Sequence, residues 1–193
     1  MNWWKVIVGF TLLLGLFIAL ISVYRASVAG TMGKLGLVRS DFAATVNTDS
    51  LSDQYLAVAS DLRCGIMNRF SGTIQFFLSS DDRQGELSFR LGRNRILCGA
   101  SLLAASQAES GTYEVLKGIG YLKEGYRFVA ERASVDYRVC RNLPETDVHT
   151  AMHDLLLATE GRVHELLSDE WGDVLLLQQQ VDPVCLEGRD SVR

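Results

Sequence analysis

The chain opens with a long apolar stretch and continues with segments in which apolar residues recur at helical spacing. Residues 6–24, VIVGFTLLLGLFIALISVY, carry no charge. As an α-helix they would extend about 28 Å, close to the ~30 Å hydrocarbon core of a bilayer. Trp3, Trp4 and Tyr24 stand where an interfacial aromatic belt lies. The pattern predicts one transmembrane helix that contacts the lipid bilayer through residues 6–24.

Two other interpretations of this segment remain open. A small-x-small site, Ser27-Val28-Ala29, would allow a signal peptidase to cleave after Ala29 and release a secreted protein. The apolar run exceeds the ~7–15 residues of an ordinary signal-peptide core, which favours an uncleaved anchor. A buried core helix is the other alternative. Basic residues flank the segment on both sides, so charge alone does not set its orientation.

The rest of the chain carries the periodicity of packed helices. One stripe, Val115, Ile119, Leu122, Tyr126 and Val129, alternates steps of four and three residues, which suits a bundle. The predicted helices span residues 52–78, 82–106 and 112–133; a fourth opens near Asn142, with Leu166 in its stripe, and turns at Ser168 into a last helix that ends before Pro183.

These elements define an all-α protein, in which an N-terminal transmembrane helix precedes an antiparallel bundle of four to five helices. The predicted boundaries place the membrane anchor or uncleaved signal at residues 1–29, a linker at 30–51, the helical domain at 52–188 and a frayed tail at 189–193.

The first two cysteines are placed symmetrically about a polar turn. Residues 79–82, SSDD, are helix-capping types, so a helical hairpin is expected to turn near Asp81. Cys64 and Cys98 are equally distant from Asp81 in sequence and would stand at equal heights on the two helices. We predict a disulfide between them, with two buried free thiols as the alternative.

Cys140 and Cys185 would then pair by elimination, joining the start of the fourth helix to the tail. A turn at Gly161 instead of Ser168 would favour this bond. An even number of cysteines behind an export segment fits an oxidising compartment. We therefore expect a single-pass protein of the cell membrane with its C-terminal domain outside the cytoplasm.

Composition excludes two classes of protein. With 48% apolar and 22% charged residues, the chain is not a disordered one. Its net charge is −4 and no basic patch stands out, which argues against binding to nucleic acid.

The candidate for metal chemistry is a pair of histidines. His149 and His153 are four residues apart and share a helix face, so they could ligate one metal ion. His164 would lie about 16 Å along the helix from His153, too far to join them. The pattern matches no complete zinc signature, and solvated flanking histidines are the alternative. No other cofactor and no catalytic residue is predicted.

Arginines and glycines mark the second and third predicted helices. A charged solvent face is predicted for the second helix, with an anion site as the alternative, because arginines alternate there with acidic residues: Arg83, Arg90, Arg93 and Arg95.

Four glycines lie inside these two helices: Gly92, Gly99, Gly118 and Gly120. Each lowers the stability of its helix by about 1 kcal/mol relative to alanine. Close approach of two helix backbones, with small residues at the contact, would offset that cost.

Residues 65–126 resemble a family known only as a domain of unknown function, whose members are exported or membrane-anchored helical proteins of bacteria and archaea. The similar elements are an aromatic helix ending in Phe76-Phe77-Leu78, an acidic turn, the segment ELSFRLGRNRI and a third helix. Gly92 and Gly99 depart from the family pattern. The resemblance implies topology and compartment, and it carries no catalytic residue.

Three functions are compatible with these features. The first is a non-enzymatic, membrane-tethered module that binds a protein partner or stabilises an envelope assembly. The second is an exported metal-binding protein or metal-dependent enzyme that uses His149 and His153. The third is the sensory subunit of a membrane regulatory complex. The sequence contains no P-loop, dinucleotide fingerprint or nucleophile elbow, which favours a non-enzyme.

Overall fold

A computed structural model describes residues 3–42, 46–47, 51, 55, 64, 66–78, 83–144 and 146–190. Its α-helices are α1 (Trp3–Lys34), α2 (Ile66–Leu78), α3 (Gln84–Ala104), α4 (Ala108–Arg132), α5 (Thr146–Ala158) and α6 (Gly161–Asp190), with 3₁₀ helices at Arg39–Phe42 and Tyr137–Asn142. Over these residues the backbone forms no β-strand, although Val46 and Thr159 make an isolated antiparallel bridge. The predicted all-α fold is confirmed.

The chain divides into two compact units, Met1–Val38 and Arg39–Arg193. Helix α1 belongs to the first unit and has a mean hydropathy of 2.8, and it is long and apolar enough to cross a membrane. It continues to Lys34, past the boundary predicted at residue 29. Gly36 ends it with φ 70°, and the amides of Gly36 and Leu37 bond back to the carbonyls of Gly33 and Met32. This Schellman arrangement satisfies the last carbonyls of the helix.

The helices of the second unit pack as antiparallel neighbours, which confirms the predicted bundle. In three pairs of helices, the residue numbers of the contacts rise along one helix and fall along the other, as they do in antiparallel packing. The contacts are Thr73–Arg95 and Gln75–Arg90 for α2 and α3, Gly92–Gly118 and Gly99–Gly111 for α3 and α4, and His149–Trp171 and Leu156–His164 for α5 and α6. The predicted stripe of α4 lies in the core, where Val115, Ile119, Leu122, Tyr126 and Val129 are at most 1% exposed.

The contact between α3 and α4 is made by backbone. A Cβ atom on Gly92 would lie 2.9 Å from the carbonyl oxygen of Gly118, and one on Gly118 would lie 2.8 Å from that of Gly92. Gly99 and Gly111 repeat this reciprocal contact at 2.8 and 2.9 Å. Since real Cβ atoms do not approach other atoms so closely, only glycine allows the two backbones to come this near.

At the end of the α3–α4 contact where α3 begins, an aromatic ring from each helix packs against a glycine of the other helix. Gly85, Gly92 and Gly99 recur every seven residues on α3, as do Gly111, Gly118 and Gly125 on α4. At the outer positions, Phe128 lies against Gly85 and Phe89 lies against Gly125. The role predicted for Gly92, Gly99 and Gly118 is therefore confirmed. It is wrong for Gly120, which has no atom within 4 Å of where its Cβ would be.

The predicted turn at Ser168 is wrong, because α6 runs without a break through Ser168 and through Pro183. The chain instead turns between α5 and α6, where Gly161 adopts φ 59°, a conformation that glycine accepts without strain. Because α6 begins at this earlier turn, the residues that it turns toward the core differ by one position from those predicted. Leu167 is therefore fully buried, whereas Leu166, assigned to the core from its spacing, is half-buried.

The glycine contact makes a matched pair of substitutions informative. We expect Gly118→Ala to lower the free energy of unfolding, because its new methyl group would meet the Gly92 carbonyl and the Ile96 backbone. We expect Gly120→Ala, two residues away on α4, to raise it by about 0.5–1 kcal/mol through helix propensity alone. Urea unfolding of the detergent-solubilised protein, followed by circular dichroism, measures both. Equal effects of the two substitutions would contradict the close contact.

Candidate functional site

The structure contains both predicted disulfides. Cys64 and Cys98 join with their Cα atoms 5.2 Å apart, and Cys140 and Cys185 join with theirs 5.6 Å apart. The first bond clamps the start of the α2–α3 hairpin near the C-terminal end of α3. The second ties the 3₁₀ helix Tyr137–Asn142 to the end of α6, which fixes the segment that follows α4.

That fixed segment forms one wall of a cleft of about 460 Å³. The opposite walls are the first turn of α3 and the last turns of α4. Among the residues that the structure describes, three arginines and two carboxylates line the cleft: Arg83, Arg132, Arg138, Glu86 and Asp136. Basic groups exceed acidic groups in this described part of the lining, in contrast to the chain as a whole, whose net charge is −4.

The floor of the cleft depends on a glycine. Phe128 on α4 packs so closely on Gly85 that a Cβ atom there would lie 2.5 Å from the ring. The guanidinium of Arg132 lies 4.8 Å from the centroid of the same ring, within cation–π distance. An aromatic side chain thus holds one arginine at the cleft.

A second arginine is held by the 3₁₀ helix. Asp136 caps this helix and accepts a hydrogen bond from the backbone N–H of Arg138 at 3.1 Å. The guanidinium of Arg138 also donates Nε and Nη2 to the two carboxylate oxygens of Asp136, each at 2.9 Å. The bidentate pair orients the Arg138 side chain, which is 79% exposed.

The third arginine stands at the start of α3. Arg83 occupies the N-cap position, with φ −106° and ψ −3°, and makes no capping hydrogen bond with its side chain. The predicted capping residues at 79–82 lie outside the described residues. Arg83 and Glu86 also line a neighbouring cavity of about 690 Å³ between α2 and α3, together with Leu78 and Arg90. Leu78 is 80% exposed there.

Arg95 contradicts the predicted solvent face of α3. Its side chain is 12% exposed, and its Nη1 lies 2.7 Å from Oε2 of Glu114, a side chain with no exposure. It also donates Nη2 to the hydroxyl of Thr73 at 2.9 Å and lies 5.6 Å from the Tyr121 ring centroid. Spacing along one helix placed Arg95 with its charged neighbours, but α2 covers that part of α3. The result is a buried ion pair that joins three helices.

The three histidines have different surroundings in the structure. His149 packs edge-on against Trp171, with ring centroids 5.3 Å apart, and Trp171 is buried. The side chain of His153 is 73% exposed, with Nδ1 3.6 Å from Oδ1 of Asp154. His164 approaches the carbonyl oxygen of Leu156 at 2.9 Å. Among the described residues, no group of three or more histidine, cysteine or acidic side chains could hold a metal ion. Metal binding by His149 and His153 stays a prediction.

Charges also join α4 to α6. The Nζ atom of Lys123 lies 2.7 Å from carboxylate oxygens of both Glu170 and Asp173. Burial acts to lower the pKa of Lys123, but the hydrogen bonds to Asp173 and Glu170 outweigh it and raise that pKa. The hydrogen bond from Lys123 lowers the pKa of Asp173. The stabilisation through Asp173 is therefore present above its unfolded pKa and is lost as the pH falls through the lowered folded value.

Desolvation affects two further groups on α4. Local desolvation raises the pKa of Glu124, although the residue is exposed, against the opposing charges of Arg127 and Lys117. It also raises the pKa of Tyr126, and the charge of Asp182 adds to this. The Tyr126 ring is 1% exposed and packs edge-on against Phe89, which accounts for the effect. Neither group lines the cleft.

No protein-family model, curated protein or solved structure matches this chain. The family resemblance of residues 65–126 therefore stays a prediction. The candidate site rests on the geometry alone. Of the cleft residues, the sequence singled out only Arg83, as part of a solvent face with an anion site as the alternative. Phe128, Arg132, Asp136 and Arg138 were missed, although the mixed charges beside Cys140 were a usable signal.

The buried ion pair generates a test with three variants. We expect Glu114→Gln to lower the free energy of unfolding by about 3–5 kcal/mol, because it leaves the charge of Arg95 buried without its counter-charge. Combining Arg95→Met with Glu114→Leu should recover most of that loss, since no buried charge remains. The control, Glu131→Gln, makes the same change at an exposed position of α4 and should stay within about 0.5 kcal/mol. A double variant no more stable than Glu114→Gln would contradict the pair.

Proposed function

We propose that this protein is a membrane-tethered, extracytoplasmic helical module that binds another protein or stabilises an envelope assembly, and that it is not an enzyme. The observation that carries the proposal is the pairing of all four cysteines into two disulfides behind an apolar helix. Structural disulfides persist in oxidising compartments and are rare in the cytosol. A chain with this combination is expected to place Arg39–Arg193 outside the cytoplasm.

The apolar helix supports tethering. Its most apolar window has no residue buried by other parts of the chain, so the surface available to lipid is intact. A core helix of a soluble protein would instead be covered by its neighbours. Because the helix exceeds the length of a signal-peptide core, we infer that it is retained as an anchor and not cleaved after Ala29.

The charged side chains support a non-catalytic role. The pairs Arg95–Glu114 and Lys123–Glu170 connect helices to one another. Both pairs are engaged in holding the bundle together, which leaves the surface and the cleft as the places where a partner would bind. We therefore expect the function of this protein to be recognised by the partner protein that it binds and by the assembly that contains both.

The compartment is tested by counting thiols. Cells expressing the full chain are quenched in acid, denatured and alkylated with a maleimide that adds a large mass to each free thiol. We expect no shift in the unreduced sample and a shift for each of the four cysteines after reduction. The variant Cys64→Ser, which leaves Cys98 unpaired, should show one shift and serves as the internal calibration. Four free thiols in unreduced cells would overturn the proposal.

Topology and cleavage are tested on the same material. Protease added outside spheroplasts should remove a C-terminal tag, and the untreated protein should have the mass of the uncleaved chain, 21.4 kDa, plus that of the tag. Protection of the tag until the membrane is permeabilised would place the bundle in the cytoplasm. A mass that corresponds to loss of residues 1–29 would exclude the anchor and leave a secreted protein.

A further inference from the structure

We propose that the cleft between α3, α4 and the 3₁₀ helix Tyr137–Asn142 binds a phosphate-bearing ligand, with Arg83, Arg132 and Arg138 as the residues that contact the phosphate. The proposal goes beyond the proposed function and does not depend on the compartment. It rests on three observations: the charge of the lining, the residue at the N-cap of α3, and the way in which two of the arginines are held in advance.

The lining has the chemistry that phosphate requires. Guanidinium groups only donate hydrogen bonds, and their planar fork matches the geometry of a phosphate or carboxylate. Three of them converge on one cleft, where the carboxylates present are Glu86 and Asp136. Asp136 is already engaged with Arg138 through both oxygens. Among the described residues of the lining, Glu86 is the acidic group that an anion would meet next.

The start of α3 adds a second attraction for an anion. The positive end of a helix dipole favours negative charge. Arg83 stands at this end of α3, and its side chain makes no capping hydrogen bond. An anion between the Arg83 side chain and the first turn of α3 would be attracted by both.

Much of the cleft is built before a ligand arrives. Arg132 lies over the Phe128 ring, and that ring is fixed against Gly85. Arg138 is held by Asp136, on a 3₁₀ helix that is tied to α6 by a disulfide. Side chains ordered in advance lose less entropy on binding, which favours affinity. The volume of about 460 Å³ exceeds what a bare phosphate needs and falls within the usual range for organic ligands.

The phosphate could belong to a soluble phosphomonoester or to the headgroup of an anionic lipid, and both present the same chemistry to the arginines. The probes are therefore glycerol 3-phosphate, measured by calorimetry on the full chain in neutral detergent, and phosphatidylglycerol, measured on the full chain reconstituted into vesicles. Because α1 is apolar enough to insert into vesicles of any composition, the vesicle readout is the protection of the cleft arginines from a reagent that modifies guanidinium groups. Vesicles of phosphatidylcholine are the zwitterionic reference.

Three variants decide the outcome. We expect Arg83→Gln to weaken binding by roughly ten- to a hundredfold, the range for losing a charge-assisted hydrogen bond. Arg127→Gln removes the same charge from an exposed position of α4 outside the cleft and should leave affinity unchanged. Glu86→Gln removes the opposing carboxylate and should strengthen binding, a gain that loss of folding cannot produce.

Each result bears on the proposal. Saturable binding of glycerol 3-phosphate with this pattern of variants supports it and identifies a soluble ligand. Protection by phosphatidylglycerol alone, with the same pattern, supports it and identifies a lipid headgroup. The proposal is overturned if neither probe binds, if Arg83→Gln binds as well as the unmodified protein, or if Arg127→Gln reduces binding as much as Arg83→Gln does.

Discussion

The backbone contact between α3 and α4 is the constraint on which the rest of the bundle depends. Glycines at two successive levels allow the main chains to approach until a single methyl group would collide with a carbonyl oxygen. Arg95 lies between Gly92 and Gly99 in sequence, and Glu114 lies between Gly111 and Gly118. The buried ion pair therefore sits beside the tightest part of the contact. Seven residues before Gly92 on α3, Gly85 leaves room for Phe128 of α4, and the Phe128 ring forms the floor of the arginine-lined cleft.

The two disulfides fix segments of the chain that the α3–α4 contact does not hold. They close segments with sequence separations of 34 and 45 residues, for which the chain-entropy account assigns about 3–5 kcal/mol each. Cys64–Cys98 ties the chain before α2 to the central hairpin. Cys140–Cys185 holds the last turns of α6, beyond Pro183, against the segment that follows α4. The walls of the cleft are thus fixed by the Cys140–Cys185 bond at one side and by glycine-mediated packing at the other.

Patterns within one helix predicted most of the architecture. The apolar stretch of residues 6–24 and the stripe from Val115 to Val129 required no knowledge of other helices. The symmetry of Cys64 and Cys98 about Asp81 required only that two successive helices form a hairpin. The turn at Gly161 was named only as the alternative that would favour the Cys140–Cys185 bond, because Ser168 and Asp169 are also good turn residues and composition does not rank them. That one error moved the buried position from Leu166 to Leu167.

Features that depend on two or more helices were harder to predict. Arg95 is buried because α2 covers it, which its spacing on α3 does not reveal. The cleft draws Arg83 and Arg138 from segments far apart in the chain, and their meeting depends on the register of α3 and α4. The sequence indicates that register through two sets of glycines, one on each helix, in which a glycine recurs every seven residues. Three of those glycines were recognised, but the repeat that pairs them was not.

The distance between glycine α-protons across the α3–α4 contact tests this account most directly. In detergent-solubilised protein with ¹³C-labelled glycine, nuclear Overhauser effects should connect Gly92 with Gly118 and Gly99 with Gly111. Assigned α-protons of all four glycines without a cross-peak in either pair would show that the two backbones do not touch, and would contradict the packing from which the ion pair and the cleft are derived.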